Sequence, residues 1–308
     1  MKLLFKLLLA MSLVAAAHAQ PIKIVSNLPA GSAPDVVARK LADTLSAKWH
    51  TPVIVDNRPG AAGVVALEAY LNEPADGNTI LMLDGGAWGT MPILYHKEEK
   101  FARLQTLAPL YSNDWVLATP AKIKTLAELR TAVQARPFYG SWGIGSAGHF
   151  CGIEIARALD IKTTHVPYKE YGQWFADIVN GELPYSCTSI GSSEQYKNSG
   201  KLNWMAITAN TRDSGFADTP TIKELLGPKV HIDSAFIAFF VHDTAPSARV
   251  RHIRADIKEA LATPEMQQAV ATVRGKTWNS NIDEFNRFID KTISYNRQLI
   301  KQLDIKVN

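Results

Sequence analysis

Two hydroxyls and one imidazole stand among glycines in the stretch Tyr139-Gly-Ser-Trp-Gly-Ile-Gly-Ser-Ala-Gly-His-Phe-Cys151. Ser141, Ser146 and His149 carry the chemistry. Glycines at 140, 143, 145 and 148 let the backbone turn sharply and approach a ligand closely. The stretch follows a strand-like run, Phe138 to Trp142, and leads into a helix-like run, Gly152 to Leu159. A loop of this kind at a helix start points free N–H groups and the positive end of the helix dipole at one spot, which suits an anion.

Two sharper chemistries use the same residues. Gly143, Gly145 and Gly148 match the dinucleotide pattern G-x-G-x-x-G. Its acidic partner, expected about 20 residues on, is not clean: Asp160 comes too early and Glu170 lies beyond a second strand-like run. Ser141 or Ser146 with His149 could serve an exported serine hydrolase or transferase as nucleophile and base. The nucleophile elbow G-x-S-x-G is missing, because Tyr139 and Ile144 stand where its first glycine belongs. Binding a small anion needs donors and no activated nucleophile, and the loop supplies them.

The same grammar opens the chain. Ile22 to Ser26 reads as a strand, Asn27 to Pro34 as a turn-rich loop, and Asp35 as the start of a helix. Val37, Leu41, Leu45 and Trp49 give that helix one apolar stripe. Asp35 reads first as its cap and second as a ligand contact. Val53 to Val55 and Thr79 to Leu83 are further strands, the latter running into Asp84-Gly85-Gly86-Ala87-Trp88. Strand-like runs follow near 107–111 and 115–119. Pro120 to Thr125 reads as a crossover, after which strands and helices alternate again. Phe236 to Val241 is a buried strand, and Ile282 to Leu303 a long amphipathic helix. This is α/β alternation with helices covering mixed, mainly parallel sheets. Two such units suggest two lobes around a cleft, with domain I at 20–119 and 236–308 and domain II at 120–235. Ligands of such sheets sit beyond the strand ends, here in the loops 28–35, 84–90, 141–149 and 187–192. Trp88 and Trp142 lie in these loops; each reads first as core and second as cleft lining.

Residues 1–19 read as a secretory signal: Lys2 and Lys6, an apolar run from Leu7 to Ala17, and the A-x-A site Ala17-His18-Ala19. The apolar run is too short to span a bilayer, which needs roughly 20 residues. Cleavage after Ala19 leaves 289 of the 308 residues, and the loss of Lys2 and Lys6 takes the formal net charge from +4 to +2. The basic residues are scattered, so no nucleic-acid partner is expected. Cys151 and Cys187, in an exported chain, either pair as a disulfide or stay two buried thiols. No C-x-x-C or H-E-x-x-H occurs, and His149-x-Cys151 lacks further spaced ligands, so no metal or other cofactor is expected.

Taken together, the motifs resemble the periplasmic solute-binding proteins of tripartite tricarboxylate transporters, the Bug or TctC family. The carriers are Pro29-Ala30-Gly31 with Asp35; Val55 to Gly63; Asp76-Gly77-Asn78-Thr79; Ser141-x-Gly143-x-Gly145-Ser146-x-x-His149; His165-Val166-Pro167-Tyr168-Lys169; and Thr219-Pro220-Thr221-Ile222 with Glu224. The resemblance implies a two-lobed periplasmic binding protein of type II, the Venus flytrap, without catalysis. It also implies a carboxylate held between the loops at 29–35 and 141–149, and delivery to membrane permease subunits or, with the same fold, to a sensory partner. On that basis Pro29, Ala30, Gly31, Ser32 and Asp35 of one lobe face Ser141, Trp142, Gly143, Gly145, Ser146 and His149 of the other. Gly86, Trp88, Thr188 and Ser189 meet the distal end, and Tyr168 is a further expected contact. The amides near Gly31, Ser32, Gly145 and Ser146 and the hydroxyls of Ser141 and Ser146 are the expected donors. The ligand expected is one small organic carboxylate, aromatic or a dicarboxylate, bound by a monomer. The chain departs from the family pattern at Ser32, Glu170 and Thr188-Ser189, all around the cleft.

Overall fold

The computed structural model describes residues 20–230, 232, 234–278 and 281–307. The expected signal segment, 1–19, lies outside them. The first lobe is built from β1 (Ile22–Ser26), α1 (Ala33–Trp49), β2 (Val53–Asn57), α2 (Val64–Leu71), β3 (Thr79–Asp84), α3 (Gly85–Leu94), α4 (Glu98–Phe101) and β4 (Leu104–Asn113). The second follows with β5 (Trp115–Pro120), α5 (Leu126–Ala135), β6 (Phe138–Ser141), α6 (Ala147–Leu159), β7 (Thr164–Pro167), α7 (Tyr171–Asn180), β8 (Tyr185–Ser189), α8 (Ile190–Asn198), β9 (Leu202–Ile207) and α9 (Ile222–Leu226). The chain then returns to the first lobe with β10 (Ala235–His242), α10 (Ser247–Leu261), α11 (Pro264–Thr272) and α12 (Ile282–Leu303).

Each lobe has a five-stranded sheet of the same design, ordered β2-β1-β3-β10-β4 in one and β7-β6-β8-β5-β9 in the other. β1 lies parallel between β2 and β3, and β6 parallel between β7 and β8. β10 and β5 run against both their neighbours. In each sheet four strands share a direction and one opposes them. The strand alternation fixes the layers: on β3, Ile80 and Met82 face one core and Leu81 and Leu83 the other. On β5, Leu117 faces one core of the second lobe while Val116 and Ala118 face the other. The expected stripe of α1 is present, with Val37, Leu41 and Leu45 fully buried and Trp49 packed at its edge.

The lobe boundary differs from the sequence expectation. The run 115–119 was assigned to domain I, but β5 pairs with β8 and β9 and belongs to the second sheet. The crossing therefore falls at Asp114, not at 120–125. Ser234, on the return crossing, donates its hydroxyl to Asp114 Oδ1 at 2.8 Å, and Lys276 donates to Asp114 Oδ2 at 2.8 Å. One carboxylate thus ties both crossing strands to the first lobe. A second difference is the run 84–90, read as a loop. It is the first turns of α3, capped by Asp84, which accepts from the amides of Gly86 (2.7 Å) and Ala87 (3.1 Å). Among the described residues no helix is long and apolar enough to cross a membrane.

Candidate functional site

β1 and β6, each flanked by two parallel neighbours, end in equivalent loops that lead into α1 and α6, and the second of these loops meets the first lobe at Gly86 and Thr90. In the first, Asp35 is 1% exposed and its carboxylate is spent on the loop itself. Oδ2 accepts from the Gly31 amide (2.8 Å) and Arg39 Nε (2.9 Å), and Oδ1 from Asn57 Nδ2 (2.8 Å). Burial pulls Asp35 upward, but these donors outweigh it and hold its pKa below the ordinary carboxylate range. Asp35 is therefore the clamp of the loop. The Ser32 amide reaches back to the Pro29 carbonyl at 3.3 Å. Two of the four expected amide donors, Gly31 and Ser32, are thus used internally. Ser32 stands at the cap of α1 but makes no cap bond, and Pro34 at the second helical position has no N–H to give. Its hydroxyl is buried and unpartnered. Ala30 is exposed and Pro29 half-buried beside it.

The second loop is also closed on itself. Gly145 donates its amide to His149 Nδ1 at 3.1 Å, and Ser146 donates its amide to the Gly143 carbonyl at 3.2 Å. Ser146 Oγ caps α6 by accepting from the His149 amide at 3.2 Å. Ser141 is fully buried, and its Oγ lies 2.7 Å from His165 Nε2, 3.0 Å from Ser146 Oγ and 3.1 Å from the Gly143 carbonyl. The expected donors Gly145, Ser146 and Ser141 therefore shape the loop. The amides left over are those that open α6, at Ala147 and Gly148, which have no carbonyl of their own helix to reach.

His149 is buried, and burial lowers its pKa to about 4; accepting at Nδ1 places its proton on Nε2. His165 packs on it with the rings tilted and their centroids 4.1 Å apart, and is lowered to about 3, by burial first and His149 second. Parallel pairing of β6 with β7 sets Tyr139 beside His165 and brings that imidazole to Ser141. His165 was in the family motif but not among the expected site residues. The serine hydrolase reading fails on this geometry. His149 spends its acceptor on a backbone amide, Ser141 has no accessible surface, and Ser146 is a helix cap.

The remaining expected residues divide. Trp88 is a correction: its ring stacks on Phe240 at 3.9 Å and meets Phe101 edge-on at 5.0 Å, inside the first lobe's core. The hidden helix α3 turns it inward. Trp142 is half-buried and packs on Tyr171 at 4.4 Å. Tyr168 donates its phenol to Asp177 at 2.5 Å, within the second lobe, and burial and that contact raise its pKa. Ser189 caps α8, accepting from the Ser192 amide at 3.3 Å. Thr188 is fully buried with an unpartnered hydroxyl. Gly143 has positive φ and open space around it. The Gly86 amide is held by Asp84, yet Gly86 marks where the lobes meet. A Cβ there would stand 2.9 Å from the Ala147 amide nitrogen and 3.3 Å from Ser146 Cα.

Sequence reasoning missed three side chains at this meeting. Thr90 donates to the Gly145 carbonyl across the lobes. Asp84 lies beside the start of α6. Tyr171, from the second lobe, is close enough to Asp84 for that charge to act on its phenol, which burial first and Asp84 second push to about 12. The residue as a whole is nonetheless 40% exposed. Cys151 at the first turns of α6 and Cys187 on β8 are joined by a disulfide, with Cα atoms 6.0 Å apart. Behind the lobe contact, a gap runs between Gly86, Thr90, Ala147, Phe150, Phe236 and Tyr295; of the residues expected to meet a ligand, only Gly86 lines it. Among the described residues no group of three or more His, Cys, Asp or Glu is placed to hold a metal.

Comparison with known proteins agrees with this architecture. Residues 37–305 match the model of the tripartite tricarboxylate transporter family receptor, TctC. The chain is 26% identical to the protein BugT of Bordetella pertussis over 297 residues, covering 94% of this chain and 91% of that one. The solved structure of Rpa4515 from R. palustris with adipate superposes with a TM-score of 0.82 at 20% identity, over 94% of this chain and 99% of that one. MatC from Rhodopseudomonas palustris with bound malate superposes with a TM-score of 0.79 at 20% identity, over 92% and 99%. The family match and the two lobes of the periplasmic binding protein fold agree: the chain is a member of the TctC family of tripartite tricarboxylate transporter receptors, a solute-binding protein and not an enzyme.

Proposed function

We propose that the protein is exported to the periplasm, captures one small organic carboxylate between its lobes and hands it to the permease subunits of a tripartite transporter. The observation that carries the carboxylate reading is the Ser32 hydroxyl, buried and unpartnered at the open start of α1. The equivalent loop of the second lobe leads to the first-turn amides of α6, at Ala147 and Gly148, which have no carbonyl of their own helix to reach. Family membership supports transport, and the structural neighbours hold malate and adipate. The donors differ from those expected from sequence. With the Gly31, Ser32, Gly145 and Ser146 amides spent, the ligand carboxylate would take the Ser32 hydroxyl and the first-turn amides of α1 and α6. Charge-assisted bonds of this kind contribute roughly 1.5–3 kcal/mol each. Trp142 and Tyr171 supply aromatic surface for the rest of the ligand.

Mass spectrometry of small molecules released from purified protein identifies the ligand, and calorimetry with that acid and its amide tests the mechanism. The acid should bind at one site, the amide at least about tenfold more weakly, and Ser32→Ala should weaken the acid by about tenfold. Equal binding of acid and amide would refute the carboxylate site.

A further inference from the structure

We propose that the C-terminal half of α12 is a pivot between the lobes: Leu299 and Ile300 seat α6 of the second lobe, and so act as positioning residues for the helix start at Ala147 and Gly148. This role goes beyond ligand capture and holds whatever the ligand is.

Four apolar clusters build the lobes, and each draws its buried members from one lobe alone. A fifth crosses between them. It joins Leu94 of α3 and Leu299 and Ile300 of α12, all from the first lobe, to Phe150 of α6 in the second. These four residues are 2–9% exposed, as well buried as members of the lobe cores. Ile153, one turn beyond Phe150, packs against them, as do Tyr295, Ile305 and Val307. The 22 residues of α12 span roughly 33 Å, enough to serve both lobes. The first half of the helix is fixed. Phe285 and Ile289 sit in the first lobe's core. Thr292 and Asn296 press on α3, where a Cβ at Gly89 would stand 3.4 Å from Thr292 Cγ2 and 2.9 Å from Asn296 Nδ2. The seat for α6 is therefore held on an anchored base.

α3 presents another side to the second lobe. Gly86, Thr90 and Leu94 recur every four residues and share one face of the helix. Gly86 lies against Ser146 and Ala147, Thr90 against the Gly145 carbonyl, and Leu94 against Gly145 and Phe150. The contact changes character along this row. At Gly86 and Thr90 it consists of backbone atoms and one hydroxyl, and that hydroxyl keeps the Gly86 carbonyl when the lobes part. At Leu94 it is apolar, and separating it would return Phe150, Leu299 and their neighbours to water, at a cost that grows with the area exposed. The polar end therefore opens first while the apolar end holds, which is rotation about the seat. A gap bordered by Gly86, Thr90, Ala147, Phe150 and Tyr295 lies between the two ends, so they are not packed as one surface. Phe150 lies one turn beyond Ala147 on α6, and whatever seats its ring sets where the first-turn amides point.

The test compares the full mature chain, freed of bound small molecules, with its variants by small-angle scattering and urea unfolding. Leu299→Ala and Phe150→Ala cut the seat from either lobe. Each should raise the radius of gyration of the folded chain, and the double variant should raise it no further than either alone. Leu299→Met, which keeps the volume, should scatter as wild type. Ile155→Ala is the control: it lies on the same helix, fully buried in the second lobe's own core, and should lower the urea midpoint with the radius unchanged. Ile153→Ala, at the half-buried edge of the seat, is the milder variant should Leu299→Ala fail to fold. Seat variants that lose urea midpoint as Ile155→Ala does, yet keep the wild-type radius, would reduce the cluster to ordinary packing and overturn the pivot. The scattering uses no ligand, so the pivot and the carboxylate reading of the cleft stand or fall separately.

Discussion

Thr90 Oγ1, on α3, stands 2.5 Å from the Gly145 carbonyl of the opposite lobe and 2.7 Å from the Gly86 carbonyl of its own helix. One hydroxyl proton serves two acceptors, so opening the lobes leaves the hydroxyl with its helical partner. The closed contact is cheap to break, as a binding protein that releases its ligand requires. Gly145 is needed on the other side: it has φ +85°, and a Cβ there would stand 2.7 Å from Leu94 Cδ1 and 3.1 Å from Thr90 Oγ1.

Thr90→Val keeps the volume, removes the donor and strands the Gly145 carbonyl in the closed form. The expected result is a ligand affinity lower by about three- to tenfold with unchanged thermal stability. Gly145→Ala adds a backbone strain of about 1–2 kcal/mol and pushes against Leu94, so small-angle scattering should report a larger radius of gyration with ligand present. A liganded variant that scatters as wild type would show that this contact does not set closure.

Acid should destabilise the protein through His149 and His165. Both pKa values are depressed by burial, to about 4 and about 3, against about 6.5 in the unfolded chain. Between pH 6.5 and these values the unfolded state binds protons that the folded state refuses. Stability is therefore full above about pH 6.5 and falls with pH, by up to about 1.4 kcal/mol per unit for each group. Protonation of His149 at Nδ1 would also displace the Gly145 amide. Thermal midpoints from pH 8 to 4 should fall more steeply for wild type than for His165→Gln. Parallel curves would remove the histidine pair as the cause.

The elements that sequence revealed best are those that carry their own punctuation. The loops after β1 and β6 announce themselves by glycine, proline and a following apolar stripe, and the fold makes them equivalent. The residues misread depend on distant partners. Gly85, Gly86, Gly89 and Pro92 disfavour a helix, yet α3 forms because Asp84 caps it and the core buries Ala87, Trp88 and Met91. Nothing local in Trp115–Pro120 says which sheet it joins; Val116 and Leu117 find their partners on β8 and β9, some 70 to 90 residues later. Ser141 looked like a free donor because its partner, His165, arrives only when β6 and β7 pair.

The disulfide braces the second lobe by joining the start of α6 to the end of β8. Cys151 follows the first turns of α6, Cys187 immediately precedes Thr188, and both are buried. Closing an interval of 36 residues restricts the unfolded chain by about 4 kcal/mol. Cys151→Ser with Cys187→Ser should lower the denaturant midpoint accordingly. Thiol labelling of denatured, unreduced wild-type protein should find no free thiol, and two equivalents would disprove the bond.

Trp88 and Trp142 should separate stability from binding. Trp88→Ala removes a ring stacked on Phe240 in the core and should cost about 3–5 kcal/mol. Its effect on affinity should be no larger than the fraction unfolded explains. Trp142 is half-buried against Tyr171 in the loop that leads into α6, and Trp142→Ala should cost less than about 1.5 kcal/mol of stability. It should instead weaken the identified ligand by about tenfold, because aromatic contact contributes roughly 0.5–1.5 kcal/mol beyond the area covered. Equilibrium unfolding and calorimetry on the same two variants decide the matter. If Trp142→Ala bound as wild type while Trp88→Ala, still folded, did not, the cleft would have to be redrawn on the first lobe's side of α3.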